Sequence, residues 1–252
     1  MQPQQLIVHI RNILGKIGNP VVAAGQKQYM RNQFEFFGIS TPIRRKTQKE
    51  ILKKLDQVFS LILYCSYYFS HQITYNKIKI KNEKPNEEEA IEFVRLCWIQ
   101  EEREFQHLGM EYCKEFAHKI KPETLLTLSQ EMITQKSWWD TVDFISPHIV
   151  GKWCQDNPNF VKNVYQWIDH ENFWMRRAAI LHQLNLKEQT NKQILFEFCL
   201  KRSFEEEFFI RKSIGWALRQ YARINPKEVR EFVKSNQTKL SKLSVQQALK
   251  HL

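Results

Sequence analysis

The sequence contains no GxGxxG, no GxxxxGK(S/T), no HExxH and no GxSxG, so dinucleotide-binding, P-loop, zincin and serine-hydrolase chemistries lack the residues they need. Glycine (7) and proline (8) are scarce for 252 residues, and no long stretch alternates apolar with polar side chains, which argues against a β-rich fold. The five cysteines, Cys65, Cys97, Cys113, Cys154 and Cys199, are odd in number, scattered and never spaced as CxxC. That pattern suggests neither a disulfide framework nor a thiolate zinc site, and buried, reduced thiols are expected. The eight histidines are dispersed, so no metal site is expected, and no cofactor motif is present. The longest apolar run, VFSLILYCSYYF at 58–69, falls short of the roughly 20 residues a membrane-spanning helix needs. MQPQQLIVHI at the start has neither the basic cluster nor the apolar run of a secretory signal. The expectation is a protein of the cytoplasm or nucleus, without a membrane segment.

What is present is enough apolar sequence (42%) for a substantial core and an excess of 38 Lys and Arg over 27 Asp and Glu. A formal charge of +11 favours a polyanionic partner, because cations that neutralise phosphates release condensed counterions. Nucleic acid is the leading candidate, an anionic membrane surface the alternative.

Apolar residues recur at helical spacing along most of the chain, and an all-α fold is expected. Leu6, Ile7, Ile10, Leu14 and Ile17 define a first helix, closed by Asn19-Pro20; a second is expected over about 22–36, stopped by Gly38. Thr41-Pro42 reads as a cap and first-turn proline, opening a helix that carries Arg44, Arg45 and Lys46 near its start. From 60 to 85 the periodicity is lost, and the lysine-rich SHQITYNKIKIKNEKPN reads as an inserted loop with a short strand-like piece at 77–80. Asn86, followed by three glutamates, is a strong helix start. Helices are then expected at about 87–99, 102–118, 123–134, 138–155, 159–168, 172–185, 191–202, 206–223, 226–235 and 241–251, with Pro122, Pro158 and Pro226 at or near starts.

A repeat runs through these helices. FWMRRAAI at 173–180 aligns without a gap on FFIRKSIG at 208–215, and the same step of 35 backwards places Trp138-Trp139 over Phe173-Trp174. Helix pairs at such a period mark a HEAT-like α-solenoid, a superhelix of antiparallel pairs with a long concave surface, here expected to be basic. Residues 1–252 are read as one such domain interrupted by the 60–85 insert.

The candidate chemistry centres on KSWWDTVDFI at 136–145. Trp139 and Asp143 are four residues apart, one helical turn, and can present an aromatic face and a carboxylate side by side to a cation. A solvated or capping acid and a packed core tryptophan are the ordinary readings of the same residues. Arg177 stands on the apolar side of NFWMRRAAILHQL, where a guanidinium needs an anion: phosphate, which suits its fork, or an acid on a neighbouring helix. Arg176 precedes it, and Arg211 and Lys212 hold the same positions one repeat later, a candidate basic stripe. Trp216 follows Lys212 by one turn.

KQYMRNQFEFFGISTPIRR, EREFQHLGMEY, KSWWDTVDFI, NFWMRRAAILHQL and EFFIRKSIGWALRQYARINP, in this order, resemble the DNA alkylation repair family of AlkD-type DNA glycosylases over nearly the whole chain outside the insert. The resemblance implies HEAT-like repeats and excision of N3- and N7-alkylated purines from duplex DNA in base excision repair, without flipping the base into a pocket. It implies that Trp139, Asp143 and Trp216 are catalytic, that Arg177 contacts DNA and that Tyr29 lies near the damaged strand. Arg44, Arg45, Arg176, Arg211 and Lys212 are the further candidate DNA contacts. The partner implied is double-stranded DNA carrying alkylated purines, bound by a monomer. A noncatalytic helical-repeat module that binds DNA or bridges proteins is the alternative.

Overall fold

The computed structural model describes residues 3–53, 55 and 86–252. The insert read at 60–85, with its strand-like piece and Cys65, lies outside the described residues. The chain divides into two compact units, 1–121 and 122–252, and the described elements of both are helical.

The first unit holds α1 (Pro3–Ile17), α2 (Pro20–Tyr29), α3 (41–53), α4 (Glu87–Ile99) and α5 (Arg103–Phe116). Leu6, Ile7, Ile10 and Leu14 are the buried stripe of α1, as their spacing requires. Asn19-Pro20 does more than end α1. The Asn19 side chain accepts from Val21 N (2.9 Å) and Val22 N (3.2 Å), and Pro20 opens α2 directly.

α2 is shorter than the sequence suggests. It ends at Tyr29 because Arg31 (φ 56°) and Asn32 (φ 58°) adopt left-handed conformations, and the chain then runs irregularly to residue 40. Tertiary contacts hold that segment: the Glu104 carboxylate, 1% exposed, accepts from Phe37 N, Gly38 N and Ile39 N at 3.1–3.4 Å. Gly38, at φ 84°, is a turn within this segment rather than the end of a helix. α3 starts one residue earlier than Thr41 as cap would give, since Arg44 N donates to Ser40 O at 2.8 Å. α4 opens with the reciprocal Asn86–Glu89 capping box that its sequence announces.

The second unit comprises α6 (Pro122–Thr134), α7 (Trp139–Ile145), α8 (Gly151–Asp156), α9 (Val161–Trp167), α10 (Phe173–Leu181), α11 (Lys192–Lys201), α12 (Phe208–Ala222), α13 (Pro226–Ser235) and α14 (Lys242–Ala248). α7 and α8 are joined by a π-helical turn, Ser146–Val150. Its cause is local: Pro147 has no N–H to give the carbonyl of Asp143, so the α-helical register cannot continue there.

The repeat is visible in the helix starts. The caps of α5, α7, α10, α12 and α14 are Glu102, Trp138, Asn172, Glu207 and Ser241, spaced 36, 34, 35 and 34 residues apart. Pro122, Asn157, Asn191 and Asn225 start or cap the intervening helices on the same ladder. The fold is therefore an all-α, HEAT-like succession of helix pairs. Within the second unit, α10 packs on α7 and α12, and α12 packs on α14 so closely that a Cβ on Gly215 would lie 2.5 Å from Gln247 Cβ. Cys97, Cys113, Cys154 and Cys199 are free and buried, and burial pushes the thiols of Cys113 and Cys154 up to about 12.

Candidate active site

The site is assembled by three helices of the second unit that follow one another in the repeat, α7, α10 and α12. Trp138 caps α7 in an extended conformation (φ −157°, ψ 163°), so it stands before the helix rather than on it. Its ring packs against Trp174 (centroids 5.8 Å apart) and Phe209 (5.4 Å). Phe173 stacks nearly parallel to Phe209 at 6.4 Å, completing an aromatic wall contributed by α7, α10 and α12. Trp138 is thus a packing residue. Trp139 is the first residue of α7, half-buried, with Asp143 one turn further on.

Arg177 is 4% exposed in the middle of α10, and its anion is Asp143. Nε donates to Oδ1 and Nη2 to Oδ2, both at 2.8 Å, a bidentate fork. Nη1 donates to the carbonyl of Phe209 at the start of α12, and the guanidinium carbon lies 5.7 Å from the Phe209 ring. One side chain therefore ties α7, α10 and α12 together. Of the two partners left open by the sequence, an acid on a neighbouring helix is the one present. Burial pushes the Asp143 carboxyl above the usual carboxylate range; Arg177 pulls it back down, and the nearby Asp140 charge adds to the rise.

Arg176 has a different assignment. Its Nε and Nη2 donate to Glu205 at 2.8 Å each, and Nη1 donates to the carbonyls of His170 and Glu171 at 2.7 Å. Arg211, one repeat later, donates from Nε to Glu205 O at 2.9 Å. Both arginines clamp the loop that precedes their own helix, so in place of an open basic stripe the structure has two loop clamps. Lys212 Nζ lies 5.9 Å from the Phe208 ring centroid. Trp216 is half-buried in the middle of α12.

The remaining candidates belong to the first unit. Tyr29, the last residue of α2, is 70% exposed. On α3, Arg44 donates to Gln48 Oε1 at 2.9 Å and Arg45 is exposed. Glu205 and the Phe209 carbonyl were not singled out in the sequence. Glu205 sits 35 residues after His170, and that repeat register is the signal that could have found it. Among the described residues no cluster of three His, Cys, Asp or Glu could hold a metal ion, and no helix is long and apolar enough to cross a membrane.

The family model described as DNA alkylation repair enzyme matches residues 10–67 and 71–252. The chain belongs to the DNA alkylation repair enzyme family. A solved structure described as a predicted DNA alkylation repair enzyme from Enterococcus faecalis is 30% identical to this family member, with a TM-score of 0.75, over 93% of this chain and 96% of that one. The smu.31 protein of Streptococcus mutans UA159 shares the fold at 14% identity and a TM-score of 0.54, over 81% of this chain and 99% of that one. No curated protein matches this family member.

Proposed function

We propose that the protein is a monofunctional DNA glycosylase that hydrolyses the N-glycosidic bond of cationic N3- and N7-alkylated purines in duplex DNA, within base excision repair. The observation that carries this reading is the Asp143 carboxylate, almost buried on α7 one turn from Trp139 and oriented through both oxygens by Arg177. A purine alkylated at N3 or N7 carries positive charge, which weakens its bond to the sugar. As that bond breaks, the charge moves to the sugar. A fixed carboxylate in a water-poor setting stabilises such a cation, and it can orient and deprotonate the attacking water. The ring faces of Trp139 and Trp216 would each contribute about 0.5–2 kcal/mol as cation–π partners of the charged nucleotide.

Arg177 acts here first as a positioning residue. Three of its five N–H donors are committed, one each to the two Asp143 oxygens and to Phe209 O, which leaves two for a phosphate of the bound strand. Tyr29, Arg44, Arg45 and Lys212 are further DNA contacts in this reading, whereas Arg176 and Arg211 serve by holding loops. Neutral bases lack the built-in leaving-group activation and should be released poorly.

The test is release of 7-methylguanine and 3-methyladenine from methylated duplex DNA. The wild type should release both above background. Binding without release would instead support the noncatalytic module.

A further inference from the structure

Between the last turns of α10 and α12 and the start of α11 lies an open cavity of about 150 Å³. Its floor is apolar, formed by Ile180, Leu184 and Ala217, and its polar wall includes Gln220. Two cations line it from different segments: Lys187, in the loop after α10, and Arg223, which ends α12. Both are exposed, and neither has an acidic partner among the described residues. Arg176, Arg177, Lys192, Lys201 and Arg202 by contrast each meet a carboxylate.

Trp216, Gln220 and Arg223 are spaced four and three residues apart and so share one edge of α12. Seven residues at 1.5 Å each put Arg223 about 10 Å from Trp216 along the helix axis. The sugar-phosphate strand of a duplex rises about 3.4 Å per nucleotide along the duplex axis, so a group about 10 Å from Trp216 is within a few nucleotides of a base held there.

We propose that Lys187 and Arg223 grip phosphodiester oxygens of one DNA strand within a few nucleotides of the damaged one, with the adjoining deoxyribose over the apolar floor of the cavity. This rests on the glycosylase reading for the position of the lesion, but not for the contact itself. An unpaired Arg and Lys face no competing acid, and phosphate contacts of this kind fix the register of a protein on DNA without reading its sequence. The site would thus supply the backbone anchor that Arg176 and Arg211, held in their loops, do not.

The test is binding of undamaged duplex DNA by fluorescence anisotropy between 50 and 200 mM salt. Wild type is compared with the Lys187→Gln/Arg223→Gln double variant and with Lys234→Gln, an exposed cation on α13. Each lost phosphate contact should reduce the slope of log K against log salt by about 0.9, so the double variant should lose about 1.8. Lys234→Gln should match wild type, and equal thermal unfolding midpoints would show that all three proteins are folded. A slope unchanged in the double variant, or reduced as much by Lys234→Gln, overturns the proposal. Inorganic phosphate and a deoxynucleoside monophosphate, titrated at matched ionic strength, should displace the duplex no better than chloride. Displacement at low millimolar levels that disappears in the double variant would reassign the cavity to a small phosphate ligand. Because no step requires base release, a protein that binds in this way but excises nothing refutes the glycosylase reading alone.

Discussion

Arg176 and Arg177 on α10 recur 35 residues later as Arg211 and Lys212 on α12, yet only the first member of each pair keeps the same task. Arg176 donates to the carbonyl of His170 and Arg211 to that of Glu205, in each case six residues earlier. The second members part company. Arg177 meets Asp143 of the preceding helix, whereas the residue 35 after Asp143 is the fully buried Ala178, so the repeat supplies no carboxylate there for Lys212. Repetition accounts for the scaffold. The site is the place where the repeat is broken by one acid.

Arg177→Met should have the largest effect. It leaves a nearly buried carboxylate without its fork and should destabilise the protein by about 3–5 kcal/mol, read from urea unfolding at neutral pH. The same variant moves a titration. Asp143 is already raised by burial, so excision that needs its carboxylate should fall on the acid side at a pH above the ordinary carboxylate range. Arg177 opposes that rise, and Arg177→Met should therefore shift the acid limb of the single-turnover pH profile further upward. For stability the sign is opposite to the usual Asp case: a raised folded-state value favours the protonated form, and this contribution is lost as pH rises through it.

Smaller effects should follow at the clamps. Arg176→Met breaks a pair whose side chains are 16% and 9% exposed, and about 2 kcal/mol of stability should be lost, with the acid limb of excision unmoved. Arg211→Gln removes one charge-assisted bond to a carbonyl and should cost about 1 kcal/mol by the same measurement. Lys212→Gln should change stability by less than about 0.5 kcal/mol. A loss at Lys212 as large as that at Arg177 would erase the distinction between the two repeats.

Much of the scaffold was legible because its signals are local. The Asn86–Glu89 capping box, the prolines at helix starts and the period of 35 each act over a few residues or recur in register. The segment after Tyr29 was not legible, because its backbone is held by Glu104, some 65 residues away in sequence, and by left-handed turns at residues that are not glycine. At the site, the helical spacing of Trp139 and Asp143 and the need of Arg177 for an anion could both be read. That these two needs meet each other could not, because the pairing depends on how α7 and α10 pack. The extended conformation of Trp138 was hidden for a similar reason: its partners Trp174 and Phe209 lie on two later helices.

The most direct test of the central claim is the single-turnover release of 7-methylguanine from methylated duplex DNA by wild type and Asp143→Asn, with thermal unfolding to verify that the variant is folded. Wild type should release the base, and the folded variant should lose about 100-fold or more in rate, the scale of removing one electrostatic stabiliser of a transition state. Equal rates for the two proteins would remove Asp143 from the chemistry.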